Sequence, residues 1–257
     1  MHKDRRIDGK IKSYQAYLFD LYGTLADIHT DEWRLPFWKR VSEVFRSCGA
    51  DYEAKELRTS CFSEVARQEK EKQEAGHEIE IDIGAVFRKL FERKGLSVTE
   101  EELLYTARSF RELSRTRLRP YAYARELLQK LHTQGKQVYL LSNAQSIFTL
   151  DELRILKLDD LFDDILISSD CGYKKPDPVV FEILMKRNGL VPKDCLMIGN
   201  DLYSDILGAN RAGVDSLYIH TALSSKTKAE AKPDYVQEGM DMKLLMRKIC
   251  EQDRKEA

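Results

Sequence analysis

From residue 121 to 219 the chain alternates strand-length apolar runs with helical stretches, and few architectures accommodate that alternation. Residues 137–141, 164–167, 195–198 and 216–219 read as strands. Residues 121–134, 146–156, 178–188 and 203–212 read as the helices between them. Strand–helix repeats of this kind predict a parallel sheet covered by helices on both faces. A further strand is expected at residues 16–20, and it joins the later sheet in this reading.

Between those two regions the texture is helical. Thr30-Asp31-Glu32 offers a capping start, and Trp33, Phe37, Val41, Val44 and Phe45 recur at helical spacing. A long polar helix is expected from Asp51 to about Ala75, ending at Gly76. A third covers residues 82–94 before Gly95, and a fourth opens at Thr99-Glu100-Glu101-Glu102 and runs toward Leu118. Four such helices can bury their stripes against one another as a bundle. The expected organisation is an α/β core (1–29 and 116–257) interrupted by a helical cap (30–115).

Composition narrows the class. The 257 residues are 42% apolar and 33% charged, with a net charge of −1. That balance supplies no general drive toward nucleic acid or an anionic membrane. Apolar runs are strand-length, so no membrane span is expected. Residues 1–13 are polar and basic, without the apolar stretch of a secretory signal. Cys48, Cys61, Cys171, Cys195 and Cys250 are odd in number and scattered, which fits a reduced cytoplasmic setting and inert packing thiols.

Four features fall where strands should stop. Asp20 ends the first apolar run and is followed by Tyr22, Gly23 and Thr24. Ser142-Asn143 ends the strand at 137–141. Lys174-Lys175-Pro176 sits on a loop before a helix. Asn200-Asp201 and Asp205 follow the strand at 195–198. Taken singly, each has an ordinary structural explanation as a turn, a helix cap or solvated charge. Together they sit at the carboxyl ends of parallel strands, where open α/β sheets bind ligands.

In order and placement the four features resemble the motifs of the haloacid dehalogenase-like hydrolases, over nearly all of residues 16–220. The resemblance implies a Rossmann-like core with a helical cap. It also implies that Asp20 is a carboxylate nucleophile and Lys175 its charge partner. Gly23, Thr24, Ser142 and Asn143 would hold the phosphate or carboxylate of a small-molecule substrate. Mg²⁺ is the implied cofactor, held by Asp20, the Tyr22 backbone carbonyl and an acid of the fourth motif. Either Asn200 or Asp201 could supply that last ligand. Asp205 could bind through water or orient Lys175.

Tyr22 departs from the phosphatase spelling of the first motif, DxDGT, in which the second Asp serves as acid and base. Tyrosine is a poor general base near neutrality. One reading is a Mg²⁺-dependent phosphatase with weakened acid–base help, which either uses another residue for that role or prefers substrates with good leaving groups. A second is a metal-independent 2-haloacid dehalogenase, whose first motif is spelled DxYGT and whose halide leaves without a proton. Against the second stand the acid-rich fourth motif and Phe181, where dehalogenases carry Tyr. A third is a weakened binding or regulatory protein on the same scaffold. The phosphatase reading is placed first. Arg34, Arg40 and Arg46 are the cap arginines available to a haloacid, and none matches by motif. His29 and His77 are read first as structural or surface residues and second as substrate contacts; Trp33, Phe37 and Trp38 are read first as packing residues of the cap and its hinge and second as lining of the substrate pocket. Monomer and homodimer are equally compatible with the pattern.

Overall fold

The structure is a computed structural model that describes residues 10–73, 76–225 and 230–250. The chain opens with β1 (Ala16–Phe19) and β2 (Ala26–Thr30). Four helices follow: α1 (Leu35–Ser47), α2 (Ala54–Glu71), α3 (Ile83–Arg93) and α4 (Glu100–Ser114). The chain returns through β3 (Arg115–Pro120), α5 (Ala124–Thr133), β4 (Gln137–Ser142), α6 (Ser146–Leu156) and β5 (Asp164–Ile167). It continues through α7 (Ser168–Cys171), α8 (Pro178–Asn188) and β6 (Cys195–Gly199). A π-wound turn (Leu202–Leu207) leads into α9 (Gly208–Arg211), then β7 (Asp215–His220), β8 (Tyr235–Glu238) and α10 (Met242–Cys250).

Six strands form one parallel sheet in the order β5-β4-β1-β6-β7-β8. β1 lies between β4 and β6, with Phe19 opposite both Leu140 and Ile198. The chain fills one side of β1 and then the other, so a topological switch point lies at the carboxyl ends of β1, β4 and β6. Alternation along β1 serves two cores. Tyr17 and Phe19 pack with Leu127, Leu131 and Leu245, while Ala16 and Leu18 pack with Phe181, Leu184 and Met197. Burial on both faces is what a parallel sheet requires.

The four helices bury their own stripes, including Trp38, Phe45, Phe87, Phe91 and Phe110, and Phe148 of α6 joins that cluster. Thr99 and Glu102 form a reciprocal capping box at the start of α4.

Three local expectations are corrected. The first cap helix starts at Leu35 with Pro36 in its first turn, and Thr30 instead ends β2. Proline's fixed backbone angle suits the first helical turn. The fourth helix stops at Ser114, where β3 pairs antiparallel with β2. Asp27 on β2 receives Arg117 and Arg119 from β3, both at 3.0 Å, so charge pairing supports a ribbon where helix was expected. The expected helix at 203–212 is split between the π-wound turn and α9. β8 and α10 add a strand and a helix beyond the last expected strand, and α2 ends at Glu71; the expected end near Ala75 lies outside the described residues.

Candidate active site

Asp20 follows β1 directly, and its backbone N–H donates to the Ile198 carbonyl of β6 at 3.0 Å. The next turn needs a positive backbone angle, which Gly23 supplies (φ 88°). A Cβ at Gly23 would collide with the Asn200 side chain, so glycine also lets the first and fourth motifs touch. Gly199 plays the same part beside the carboxylate of Asp205.

Lys175 is buried, and its ammonium is fully used. It donates to Asp20 Oδ1 at 3.0 Å, Asp205 Oδ1 at 2.7 Å and the Leu141 carbonyl at 2.7 Å. Three donors meet three acceptors, so the Nζ position is fixed. Burial lowers the lysine pKa, but Asp20 and Asp205 more than offset it, and the net shift is upward. Burial pushes the Asp205 carboxyl up to about 6, with Lys175 opposing and the Asp20 charge adding to it. Two carboxylates around one ammonium leave an excess negative charge when both are ionised.

The other expected residues gather around this centre. Thr24 Oγ1 lies 3.3 Å from Asp20 Oδ2 and 3.1 Å from Asn200 Oδ1. Asn143 accepts the Lys175 backbone N–H and donates to the Lys175 carbonyl, each at 2.8 Å, so its side chain anchors the lysine loop. Ser142 Oγ is buried and has no hydrogen-bond partner among the described residues. The backbone N–H groups of Leu21, Tyr22 and Asn143 likewise donate to nothing among the described residues. Unused donors beside Asp20 form a cradle for anionic oxygens.

The fourth-motif acids divide their work. Asp201 Oδ1 caps the following turn by accepting the N–H groups of Tyr203 at 2.9 Å and Ser204 at 2.7 Å. Asp205 gives one oxygen to Lys175 and the other to the Asp201 N–H at 3.0 Å. Among the described residues, no three His, Cys, Asp or Glu side chains converge as a metal cage. The Thr24 hydroxyl brings the Asp20 carboxylate and the Asn200 amide oxygen together, and two residues past Asp20 the Tyr22 carbonyl accepts no hydrogen bond among the described residues. This all-oxygen set suits a hard cation such as Mg²⁺.

Tyr22 points toward α6. Its hydroxyl donates to the Glu152 carboxylate in a very short contact and lies 3.3 Å from Thr149 Oγ1. Glu152 is clamped in turn by Arg111 of α4 (2.8 and 3.2 Å) and Arg115 of β3 (2.8 Å). Burial and the Glu152 charge raise the Tyr22 pKa, which keeps the phenol protonated. Burial would raise the Glu152 pKa, yet its bonds to Arg111, Tyr22 and Arg115 hold it below the ordinary value of 4.5. Sequence reasoning missed Glu152 and Arg111. The available signal was a glutamate set among Phe148, Thr149, Leu153 and Leu156 on the buried face of α6.

Other candidates fall elsewhere. Arg34 pairs with Asp31, and Arg46 pairs with Asp51 at 2.9 Å, both toward solvent. His29 meets Thr116 across the β2–β3 ribbon at 2.8 Å. His77 Nδ1 lies 2.8 Å from Asp177, while the Glu78 carbonyl accepts the Lys174 N–H at 2.9 Å. The 77–80 segment therefore rests on the lysine loop. Phe181 is fully buried against Gly208 in the sheet-side core, as a packing residue. Burial pushes the Cys61 thiol up to about 12 and the Cys195 thiol up to about 11, which keeps both unreactive. No helix among the described residues is long and apolar enough to cross a membrane.

Residues 14–213 match the sequence profile of the haloacid dehalogenase-like hydrolases. The chain belongs to that family. A glyceraldehyde 3-phosphate phosphatase of Methanothermobacter thermautotrophicus is 30% identical over 129 residues, 50% of this chain and 55% of the relative. The chain thus spans about half the length of the phosphatase it matches. An (S)-2-haloacid dehalogenase 4A of Burkholderia cepacia is 28% identical over 82% of this chain and 84% of its own. Among solved structures, a 2-haloacid dehalogenase from Pseudomonas syringae pv. Tomato DC3000 superposes with a TM-score of 0.60 at 20% identity, covering 95% of this chain and 100% of that one. At that identity the likeness speaks for the fold of this haloacid dehalogenase-like hydrolase and not for its substrate.

Proposed function

We propose that this haloacid dehalogenase-like hydrolase is a phosphatase that cleaves small phosphomonoesters through an aspartyl phosphate on Asp20. The observation that carries the reading is the Asp20 carboxylate held by Lys175 beside a cradle of unused donors. A phosphate has three oxygens to place, and Ser142 Oγ with the N–H groups of Leu21, Tyr22 and Asn143 matches that demand. The phosphatase relative adds support.

In this mechanism one Asp20 oxygen attacks phosphorus, and the bond from phosphorus to the leaving oxygen breaks. Lys175 fixes the attacking carboxylate and offsets charge on the transferred group. Thr24 orients Asp20 and Asn200, and Asn143 secures the lysine loop. Water then attacks phosphorus and frees Asp20. Asp20, the Tyr22 carbonyl and Asn200 or Asp201 would hold Mg²⁺, which supplies the positive charge this carboxylate-rich centre lacks. Asp205, with both oxygens engaged, positions Lys175. Residues 30–115 act as a cap that excludes water from the core formed by 1–29 and 116–257. The free thiols suit the cytoplasm.

A metal-independent 2-haloacid dehalogenase is the second reading, and Tyr22 is the observation that favours it. One assay pair separates them. The phosphatase reading expects p-nitrophenyl phosphate to turn over with Mg²⁺ and to stop with EDTA. Release of chloride from 2-chloropropionate in the presence of EDTA, without phosphatase activity, would replace it with the dehalogenase reading.

A further inference from the structure

Above Tyr22 lies a cavity of about 390 Å³ between the helical bundle and the sheet, a size typical of small-molecule sites. Tyr22, two residues past Asp20, and Asn143, which anchors the lysine loop, both line it, so it borders the candidate active site. Its walls are mainly apolar, with Trp38, Phe62, Val65, Ile81, Phe110 and Phe148 the main contributors. Two charged residues line it, Glu32 and Arg111, and neither is free. Arg111 gives Nε and Nη2 to Glu152, and its Nη1 lies 3.9 Å from Glu32. The cavity therefore offers no spare cation to a second carboxylate or phosphate on a substrate.

A second observation concerns the leaving group. The position two residues after the nucleophile carries a phenol whose single proton is given to Glu152. No carboxylic acid stands there to protonate a departing oxygen. An alkoxide, whose conjugate acid has a pKa near that of water (roughly 15.7), needs such a proton. A phenolate, with a pKa of about 10, leaves without one.

We infer that the cavity selects aryl phosphates: phosphomonoesters with an apolar aromatic body, no second anionic group, and a leaving oxygen that departs unprotonated. The inference rests on the phosphatase reading and deepens it. As Asp20 bonds to phosphorus, the phosphorus–aryl oxygen bond breaks and its electron pair leaves on the phenolate. Solvent water supplies that phenolate's proton. In the second step water bonds to phosphorus, the Asp20–phosphorus bond breaks, and the water's proton passes to solvent. The aromatic ring occupies the space between Phe62 and Phe148, where burial of its surface holds it.

The test measures kcat/KM with Mg²⁺ for phenyl and 2-naphthyl phosphate against glycerol phosphate, phosphoserine and phosphoglycolate. The aryl esters are expected to lead by about a hundredfold or more, the scale of a missing general acid. Phe62→Gln, at a partly exposed position, is expected to raise the KM for 2-naphthyl phosphate about tenfold and that for glycerol phosphate by a much smaller factor. Tyr22→Asp is expected to raise the alkyl-to-aryl ratio. Polar alkyl esters matching the aryl esters, or a Phe62→Gln effect equal on both, would overturn the substrate class while sparing the phosphatase reading. Phosphate release from neither set would end the phosphatase reading and this inference with it.

Discussion

Two buried charge clusters lie on either side of Tyr22, and they are built to opposite effect. On the sheet side, two carboxylates share one ammonium, and among the described residues Asp20 Oδ2 meets only the Thr24 hydroxyl, at 3.3 Å. On the helical side, one carboxylate receives two guanidiniums and a phenol. The first cluster has too little positive charge and an oxygen still available for attack. The second is saturated. Both bury ions, yet the unsatisfied one is suited to chemistry and the saturated one to holding α4 and β3 against α6. Burial of charge alone therefore does not mark an active site; the marker is what the charge still lacks.

The largest expected effect comes from emptying the first cluster of its cation. Lys175→Met leaves Asp20 and Asp205 buried together without a partner. Chemical denaturation should show a loss of about 3–5 kcal/mol, the usual cost of stranding half of a buried pair, and turnover should vanish. Asp20→Asn removes the excess charge instead. It should abolish turnover while leaving the denaturation midpoint equal or higher, because Lys175 keeps Asp205. If both variants lose stability alike, the charge imbalance assigned to this cluster is wrong.

The saturated cluster should respond in the other sense. Glu152→Gln is expected to cost about 2 kcal/mol of stability, as charged hydrogen bonds to Arg111 and Arg115 weaken. Turnover should change far less than with Asp20→Asn. The pH dependence sharpens the contrast. The Glu152 pKa is depressed in the folded protein, so its contribution is present above the ordinary value of 4.5 and is lost as pH falls through the folded value. Urea midpoints should therefore drop more steeply below that pH in the native protein than in Glu152→Gln. The smallest effect belongs to the solvent-facing pairs. Arg34→Ala should alter stability by less than about 0.5 kcal/mol and leave turnover unchanged. A measurable loss of turnover would bring Arg34 back as a substrate contact.

How legible each cluster was in the sequence follows the same division. Asp20 and Ser142 each end an apolar run at a strand terminus, Lys175 precedes a proline on the loop before α8, and Asp205 belongs to the acid cluster that follows β6 and Gly199. Those signals are local, so the core sheet and the meeting of Asp20, Asp205 and Lys175 could be read from the order of the motifs. Glu152 and Arg111 come from two helices 41 positions apart, and each looks like one more charge on a charged helix. Only the three-dimensional approach of α4 to α6 distinguishes them from the solvated Arg34 and Arg46. The β2–β3 ribbon escaped for a related reason. Its register is supported by Asp27 with Arg117 and Arg119, a pairing 90 and 92 residues distant in sequence. β8 is short, with two apolar residues in Tyr-Val-Gln-Glu, and pairing with β7 decides it more than its own pattern does.

Acid quenching during turnover of an aryl phosphate, followed by peptide mass mapping, tests the central claim most directly. The account predicts one phosphoryl group on the peptide containing Asp20, absent in Asp20→Asn. Phosphate release with the adduct on another residue, or undiminished turnover in Asp20→Asn, would contradict it.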